Sequence, residues 1–490
     1  MTARDALSPL PNGASLARAE IPILPRERLA EAVVDASRSG ARVASFFGSP
    51  HAEDGVLLTA VVADDGAGVL RLGSSVLSDR VWPALTPECP ELHLFERELA
   101  EQLGVEVPGH PWLRPLRSGG APAGESRVEG ETAHEVAVGP VHAGVIEPGH
   151  FRFQCDGERV IHLEISLGYQ HRGVERAFVA EPVKRRLHYA ETLAGDTTIA
   201  HAAAYCRVVE GLGEIRVPPR ALALRGVALE LERLANHTGD LGALAGDVGY
   251  LPTAALCGRV RGDWLNLGAE LCGNRFGRGL VRPGGVRFDL DAARAERMIE
   301  RLDAALCDLG PAVDRLWEVP SVLSRFEAAG PIDAAAARAL GVVGLTARAC
   351  GLERDVRSSF PAGIYRFAHI PVSTWRSGDV FARAYVRWLE IQRSAAFVRT
   401  QLGALPEGAV RVAAGAALPS RIAVALEEGW RGEVCHTAWT DEAGRLAAYK
   451  VVDASFHNWS ALAVAMRGQP ISDFPLCNKS FNLSYCGFDL

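Results

Sequence analysis

The sequence predicts an α+β protein in which a small N-terminal α+β domain precedes a larger, mainly helical domain with small β-sheets. Between residues 26 and 116, β-branched and aromatic runs such as GVLLTAVVAD alternate with Asp-Gly and Gly turn signals. From Tyr189 onward, apolar residues recur at helical spacing over much of the chain. A length of 490 residues also exceeds what one hydrophobic core usually serves.

Composition and charge restrict the class of protein. Hydrophobic residues make up 48% of the chain and charged residues 23%, which is typical of globular proteins. The net charge of −7 offers no basic footprint, so we expect no nucleic-acid partner. The sequence contains no run of 18 apolar residues and no secretory signal, so we expect a cytoplasmic protein.

The ten cysteines are scattered, and no two of them form a C-x-x-C pair. This spacing argues against a zinc ribbon, a thioredoxin-like motif or a disulfide framework. Scattered single cysteines in a cytosolic chain are mostly small buried residues.

Four segments divide the chain. Residues 1–25 are rich in Pro, Ala and Arg without periodicity, which predicts a loose leader. The first domain covers 26–116. Residues 117–135 are rich in Gly, Ala, Ser and Glu and predict a linker to the second domain, 136–490.

The first domain contains two predicted helices. LAEAVVDASRSG has helical spacing and ends at Gly40. In the second, Phe95, Leu99 and Leu103 lie four residues apart, and the helix is expected to end at Gly104.

The second domain opens with a predicted hairpin. HFRFQCD and ERVIHLEISLGY nearly alternate in polarity, and Asp156-Gly157 between them is a turn signal. The hairpin places His150 near the mouth of a sheet.

A long helix from Pro219 to Leu241 carries two stripes. One is apolar, and the other is polar and has helical spacing: Glu230, Arg233, His237 and Asp240. We favour a solvated face for the polar stripe, because such rows usually form surface charge pairs. A buried polar row that lines a cavity is the alternative. Further helices are predicted at Leu290–Trp317, Ala334–Ala339, Asp379–Leu402 and in SALAVAMRG, and β-strands in RVAAG, GEVCHTAWT and LAAYKVVDASF.

Two sets of motifs resemble known families. E-R-E-x5-G-x4-G-H-P-x-L-R, from Glu96 to Arg114, resembles the end of the C chain of bacterial NADH:quinone oxidoreductase, respiratory complex I. GPVHAGVIEPGHFRF, LGYQHRGVE, ELERLANH and GLTARACGLERDVRSSFP are similar to the large subunit of formate hydrogenlyase and related membrane-bound (group 4) nickel-iron hydrogenases. That family is homologous to the D chain of complex I, and its formate hydrogenlyase members fuse C-like and D-like domains.

The resemblance implies a subunit of a membrane-associated, ion-translocating redox complex. The implied partners are a small iron-sulfur subunit with a 4Fe-4S cluster, a ferredoxin-like subunit and antiporter-like membrane subunits. Through such partners the chain would attach peripherally to the cytoplasmic membrane.

The metal ligands of the hydrogenases are missing here. In that family four cysteine thiolates from two C-x-x-C motifs hold the nickel and iron. The matching positions are Ala194, Thr197, Ser484 and Gly487, and Cys486 is one residue out of register. We therefore expect no nickel-iron centre, no cofactor in this chain and no hydrogen chemistry.

The complex I chain uses the corresponding space for a quinone. His150 matches its quinone-contacting histidine, although this loop has two extra residues, and Asp247 matches the aspartate that pairs with it. We predict these two as catalytic residues, because a carboxylate favours the proton-donating form of an imidazole. The tyrosine that completes the family's site is not retained here, and its place falls at or next to Gly195. A structural loop contact is the alternative role for His150 and Asp247.

Several other residues match cavity-lining positions of the family: Arg172, Glu175, Gly195, His201, Arg348, Arg354 and Asp355. Buried arginines need carboxylate or carbonyl partners, so a structural ion-pair network is one interpretation and a proton path another. Two functions follow. The chain is either a redox subunit that passes electrons from the partner's cluster to a quinone-like acceptor, or a non-catalytic scaffold.

Overall fold

The computed structural model describes residues 3–51, 54–117, 128–130, 132–144, 146–180 and 182–490, and it confirms the mixed α+β class. Its α-helices are α1 Arg26–Arg38, α2 His93–Leu103, α3 Val174–Ala180, α4 Val183–Ala190, α5 Thr198–Leu212, α6 Pro219–Asp247, α7 Leu251–Cys272, α8 Ala292–Asp314, α9 Pro320–Phe326, α10 Ala334–Ala339, α11 Gly344–Ala349, α12 Val356–Ser359, α13 Val380–Gly403, α14 Ala454–Ala465, α15 Phe474–Phe481 and α16 Tyr485–Asp489.

The strands are β1 Ser8–Leu10, β2 Ser15–Ala17, β3 Arg42–Pro50, β4 Val56–Asp64, β5 Val69–Leu77, β6 Ala133–Val138, β7 His150–Asp156, β8 Arg159–Ser166, β9 Val281–Arg282, β10 Gly285–Val286, β11 Arg421–Glu428, β12 Glu433–Thr440 and β13 Leu446–Val452. Three antiparallel sheets have the orders β1-β5-β4-β3, β6-β7-β8 and β13-β12-β11-β2, and β9 and β10 form a short pair.

The first sheet and its helices form as the sequence predicts. Helix α1 packs on strands β3 to β5, and α2 packs on β3. Every residue of β4 is buried, and all but Thr59 and Asp64 are apolar, because the strand lies inside the sheet and α1 packs on it. Helix α2 ends at Gly104, whose φ of 63° is the left-handed conformation that terminates helices.

The prediction of a loose leader is wrong. Strand β1 pairs with β5, and β2 pairs with β11, so residues 8–17 add an edge strand to two different sheets. Leu7 and Leu10 are buried in the core. Strands of three residues are too short to show an alternating pattern in sequence, which is why composition alone indicated a leader.

The hairpin prediction is confirmed, and the predicted linker ends in a strand. Strands β7 and β8 pair across a turn at Gly157, whose φ is 57°. Residues 133–135 of the predicted linker belong to β6, which pairs with β7. Residues 118–127 and 131 of that linker lie outside the described residues.

The polar stripe of α6 is buried, so the predicted solvated face is wrong. Glu230, Arg233 and His237 are each 0% exposed, and Asp240 is 3% exposed. Helix α6 packs between α7 and α13, and α13 supplies partners of opposite charge. A surface charge row and a buried one have the same spacing, and only the partner helix distinguishes them.

The remaining predicted helices are confirmed with small shifts of their ends. Helix α10 has the predicted bounds, while α14 begins earlier, at Ala454, because Asp453 caps it by accepting a hydrogen bond from the Ser455 amide.

The strand predicted in the run RVAAG does not form. Within that run, only Arg411 makes an isolated β-bridge, to Gly285.

One apolar cluster joins the two predicted domains. Phe95 of α2 lies 4.9 Å from Phe456 of α14 between ring centroids, and both belong to a cluster that also includes residues of β3, β4 and β7. The N-terminal part therefore packs on the second part through a shared core. In the part of the chain that the structure describes, no helix is both long and apolar enough to span a bilayer.

We expect the Leu10→Ala variant to lower the free energy of unfolding by about 2–5 kcal/mol, because Leu10 is 0% exposed and its loss leaves a cavity. Chemical denaturation of the purified chain measures this change. Ile23→Ala, at a side chain that is 61% exposed, is the matched control. Equal effects of the two substitutions would show that β1 is not part of the core.

Candidate functional site

The site is built from two chain segments that one arginine holds together. The guanidinium of Arg172 donates to the carbonyls of Thr192 and Leu193, at 2.9 Å each, and to that of Cys486 at 3.3 Å. The loop before α5 therefore faces the segment that begins α16. In the nickel-iron hydrogenases, the segments that match these two carry the cysteines that bind the metals.

None of the four ligand positions carries a thiol. Ala194 is buried, and the Thr197 hydroxyl accepts a hydrogen bond from Arg431 at 3.1 Å. The Ser484 hydroxyl accepts from the Gly487 amide at 2.9 Å and so caps α16. Since a four-thiolate centre needs sulfur at all four places, these side chains do not fit one.

Gly487 has no space for a ligand side chain either. A Cβ atom added there would lie 2.9 Å from Cγ of Asp453, which is closer than side-chain carbon atoms approach. The Asp453 carboxylate thus fills the space beneath α16. Across the described residues, no group of three or more His, Cys, Asp or Glu side chains is arranged to hold a metal ion.

Cys486 is a thiol in a poor environment for ionisation. Burial and the nearby Glu147 carboxylate raise its pKa to about 11, so it is protonated at neutral pH. Glu147 accepts hydrogen bonds from the amides of Tyr485 and Cys486, at 3.2 and 3.4 Å. It therefore anchors the loop that precedes His150 to the start of α16.

Gly195 leaves open space at the centre of the site. A Cβ atom added at Gly195 would meet no heavy atom within 4 Å, and the residue is exposed. Gly195, Arg172 and Cys486 lie together at the surface of the chain, and we refer to this patch as the vestibule.

Beneath this vestibule lies a buried chain of hydrogen bonds. His201 Nε2 contacts Asp453 Oδ2 at 3.0 Å, His201 Nδ1 contacts His436 Nε2 at 3.0 Å, and His436 Nδ1 contacts the Tyr449 hydroxyl at 2.7 Å. Burial alone would raise the pKa of Asp453, but the hydrogen bond and charge of His201 lower it to about 2. Burial also holds the pKa of His436 well below its usual range.

The ionised carboxylate orients one end of this chain of hydrogen bonds. An ionised Asp453 only accepts, so His201 Nε2 donates to it. The directions of the His201–His436 and His436–Tyr449 hydrogen bonds follow from the tautomers of the two histidines.

Arg431 lies beside this chain of hydrogen bonds, which we call the relay. Its guanidinium pairs with the Asp196 carboxylate at 2.6 Å and lies 3.9 Å above the Trp430 ring. Because Arg431 also donates to Thr197, it fixes the loop around Gly195 in place.

Comparisons with known proteins found a matching family model, similar sequences and a similar structure. The model of the family described as respiratory-chain NADH dehydrogenase, 49 Kd subunit, matches residues 247–421. The carbon monoxide-induced hydrogenase of Rhodospirillum rubrum is 31% identical over 72% of this chain and 98% of its own length. Formate hydrogenlyase subunit 5 of Escherichia coli is 30% identical over 82% of this chain and 76% of its own length.

The chain belongs to the family of the 49 Kd subunit of respiratory-chain NADH dehydrogenase, which includes these hydrogenase subunits. A solved structure of the membrane-bound sulfane sulfur reductase, an archaeal respiratory membrane complex, shares the fold. That match has a TM-score of 0.69 at 22% identity, and it covers 74% of this chain and 99% of the other.

The family's cavity residues lie in two places in this structure. Arg172, Gly195 and His201 surround the vestibule or its floor. Glu175 lies apart from them: it accepts from the Val451 amide at 3.0 Å and pairs with Lys450 at 2.9 Å, beside a cavity of about 280 Å³.

The arginine segment of the family forms a buried ionic cluster. Arg348 donates to Glu390 at 2.8 Å and to Glu428 at 2.7 Å. Asp355 pairs with Arg357 at 2.6 Å. Arg354 donates to the Val342 carbonyl at 2.9 Å. All these ionic groups have carboxylate or carbonyl partners, so the ion-pair interpretation accounts for their geometry.

The polar stripe of α6 joins the same cluster. His237 Nε2 donates to Glu390 at 2.8 Å, while Glu230 accepts from Arg233, Arg357, Tyr365 and Ser394. Burial alone would raise the pKa of Glu390, but Arg348 and the hydrogen bond from His237 hold it well below its usual range.

The two predicted catalytic residues are not joined. His150 Nδ1 donates to the Gly139 carbonyl at 3.1 Å, whereas Asp247 is exposed at the last residue of α6. In the described part of the chain, no hydrogen bond or ion pair connects them. Their catalytic role stays a prediction.

Asp453, His436, Tyr449 and Arg431 were not recognised as site residues in the sequence. Asp453 precedes a helix and reads as an N-cap, a role that it also has. His436 and Tyr449 lie on apolar strands, where a single polar residue gives no periodic signal. Pairing between β12 and β13 brings them together.

Glu232 near the vestibule predicts a dependence of stability on pH. It accepts from the Ile199 amide at 2.7 Å, and burial raises its pKa to about 8. The folded chain thus binds this proton more tightly than the unfolded chain, whose glutamate pKa is about 4.3. Stability contributed by Glu232 is therefore lost as pH rises from about 4.3 to about 8.

We expect the Glu232→Gln variant to lack this loss. The difference in free energy of unfolding, variant minus wild type, should rise with pH across that window in urea titrations. Glu300→Gln, at an exposed glutamate of α8, is the control. A difference that stays constant with pH would refute the assignment.

Proposed function

We propose that this chain is the large subunit of a membrane-associated, complex-I-like redox complex. It would pass electrons from a 4Fe-4S cluster in a small partner subunit to a quinone-like acceptor, and the reaction would be coupled to ion translocation. The chain would hold no nickel-iron centre and make no hydrogen. Ferredoxin-like and antiporter-like membrane subunits would complete the assembly and attach it to the cytoplasmic face of the membrane.

One observation carries this proposal. Arg172 holds together the two segments that bear the metal ligands in hydrogenases, but here those segments do not carry the four cysteine thiolates. The Asp453 carboxylate and Ser484 occupy the space around Gly487. The open space at Gly195 lies on an exposed face, where a partner subunit has access. A retained frame without its metal ligands supports binding of a different acceptor there.

Reduction of a quinone to a quinol consumes two electrons and two protons. The two electrons would come, one at a time, from the partner's cluster; His150 would supply one proton and solvent would supply the other. Since Nδ1 of His150 donates to the Gly139 carbonyl, its Nε2 is the free position. Nε2 is therefore the ring atom from which His150 would donate a proton to the acceptor.

A scaffold without a substrate is the second candidate, and one observation favours it. The cavity that His150 lines includes neither Gly195 nor Asp247, so the residues predicted to form one chamber do not share it. The buried ionic cluster around Arg348 would then serve to transmit force between helices. Turnover by the assembled complex separates the two candidates.

We expect elemental analysis of the purified chain to find nickel far below one atom per chain, because no position offers the thiolates that bind it. The measurement uses protein expressed together with a hydrogenase maturation system, so that metal supply is not limiting. A hydrogenase large subunit purified in parallel is the positive control. About one nickel per chain would contradict the proposal.

We expect the His150→Ala variant to lower quinone reduction by the assembled complex by about 100-fold, the scale of a lost general acid. His134→Ala, an exposed histidine of the neighbouring strand β6, is the matched control. Assembly of each variant is checked by its co-purification with the partner subunits. Unchanged turnover with intact assembly would favour the scaffold.

A further inference from the structure

A cavity of about 770 Å³ lies where the N-terminal part meets the hairpin and α14. Helix α2 and residues 110–116 form one wall, and β8 forms another. Helix α14 contributes Trp459, Ala463 and Val464. The volume is that of a site for a small organic ligand.

Much of the lining is apolar and aromatic. Leu94, Leu116, Leu163, Leu167, Val464, Trp112 and Trp459 line it. Such a surface gains free energy when an apolar chain displaces water from it.

The charged groups of the lining are unbalanced. Three arginines, Arg97, Arg114 and Arg467, line the cavity, and Glu164 is the single carboxylate among the described lining residues. Glu164 is already bound, by Arg114 and by Arg152, each at 2.5 Å. It therefore has no spare charge with which to neutralise the other guanidinium groups.

Arg97 is the clearest case of a cation without a salt-bridge partner in contact, although the Glu101 carboxylate, one turn further along α2, raises its pKa from a distance. Arg97 is 9% exposed, and its Nε and Nη2 donate to the carbonyls of Arg114 and Pro115 at 2.8 and 2.9 Å. Within the described ranges no carboxylate lies within 4.0 Å of it. Its guanidinium faces the Trp112 ring at 5.0 Å.

Burial lowers the pKa of Arg97 to about 10, so it is charged at neutral pH. Two of the lining histidines, His93 and His110, add no charge. Burial lowers the pKa of His93 to about 3, and it also lowers the pKa of His110. The lining as a whole is therefore cationic and apolar at neutral pH. A buried cation without a partner is costly, and a bound anion would remove that cost.

We propose that this cavity binds an anionic amphiphile, with its acidic head at Arg97 and its apolar chain between Trp112 and Trp459. The chemistry fits a free fatty acid and the head and chain of an acidic membrane lipid alike. This cavity does not include Gly195, but His150, the proposed proton donor to the acceptor, is one of its lining residues. Binding of the amphiphile requires no electron donor or acceptor and is measured without turnover, so failure of the proposed redox function would leave the binding result unchanged.

Tryptophan quenching tests the proposal on the purified full chain. At pH 8 we titrate 11-bromoundecanoate, its neutral analogue 11-bromoundecanol, and vesicles of chain-brominated phosphatidylglycerol. Because Trp112 and Trp459 line the cavity, a bound brominated chain quenches their emission. We expect the acid to act at a concentration at least about tenfold lower than the alcohol, the gain from one charge-assisted contact.

Variants locate the effect. Arg97→Gln should abolish the difference between acid and alcohol, and Ala463→Phe should weaken binding of both by filling the cavity. Arg445→Gln, an exposed arginine paired with Asp441, is the matched control. If Arg97→Gln fails to fold, as judged by near-ultraviolet circular dichroism, Arg467→Gln takes its place.

Each outcome decides the question. Preferential quenching by the free acid supports a soluble ligand, and quenching by the vesicles alone supports a membrane lipid as the source of the same chemistry. Equal quenching by acid and alcohol would overturn the proposal, because the arginines would then have no role. Absence of quenching by all three probes would overturn it as well.

Discussion

The need to neutralise buried guanidinium groups determines how the helical core is assembled. Arg348 is 0% exposed and takes its counter-charges from Glu390 of α13 and Glu428 of β11. Removing one partner of such a pair costs about 3–5 kcal/mol, because it leaves an uncompensated charge in the core. The relative positions of α11, α13 and β11 are therefore fixed by electrostatics as well as by apolar packing. The stripe of α6 is part of the same constraint.

The buried ionic cluster around Arg348 also positions the residues next to the vestibule. Glu428 ends strand β11, and the turn that follows it carries Trp430 and Arg431. Arg431 in turn fixes the loop around Gly195 through Asp196 and Thr197. These contacts hold the loop around Gly195 through side chains of this chain alone. The loss of four thiolates is thus compatible with an intact fold, and the relay ending at Asp453 occupies the space with hydrogen bonds in which each buried atom has a partner.

Sequence reasoning recovered the elements that have a local signal. The hairpin at Gly157, the left-handed end of α2 at Gly104 and the bounds of α10 all depend on residues close together in the chain, and all were predicted. The burial of Glu230 and His237 was not, because spacing reports a helix face but not what covers it. The leader was missed because β1 and β2 are short and take their partners from strands 60 to 400 residues away. The same limit hid Asp453 and His436, whose relay joins α5 to the last sheet.

The two parts of the chain are joined by charge as well as by their apolar core. Glu98 of α2 accepts two hydrogen bonds from Lys450, at 2.6 and 2.7 Å, and pairs with Arg117. Lys450 also pairs with Glu175, at the start of the helix that follows Arg172. Burial alone would raise the pKa of Glu98, but Arg117 and Lys450 lower it to about 2, so the carboxylate stays charged at neutral pH. A movement of α2 would therefore act on Lys450 and, through Glu175, on the helix next to the Arg172 clamp. The N-terminal part therefore supports the site through Lys450 and Glu175. None of the hydrogen bonds described at the vestibule comes from a residue of that part.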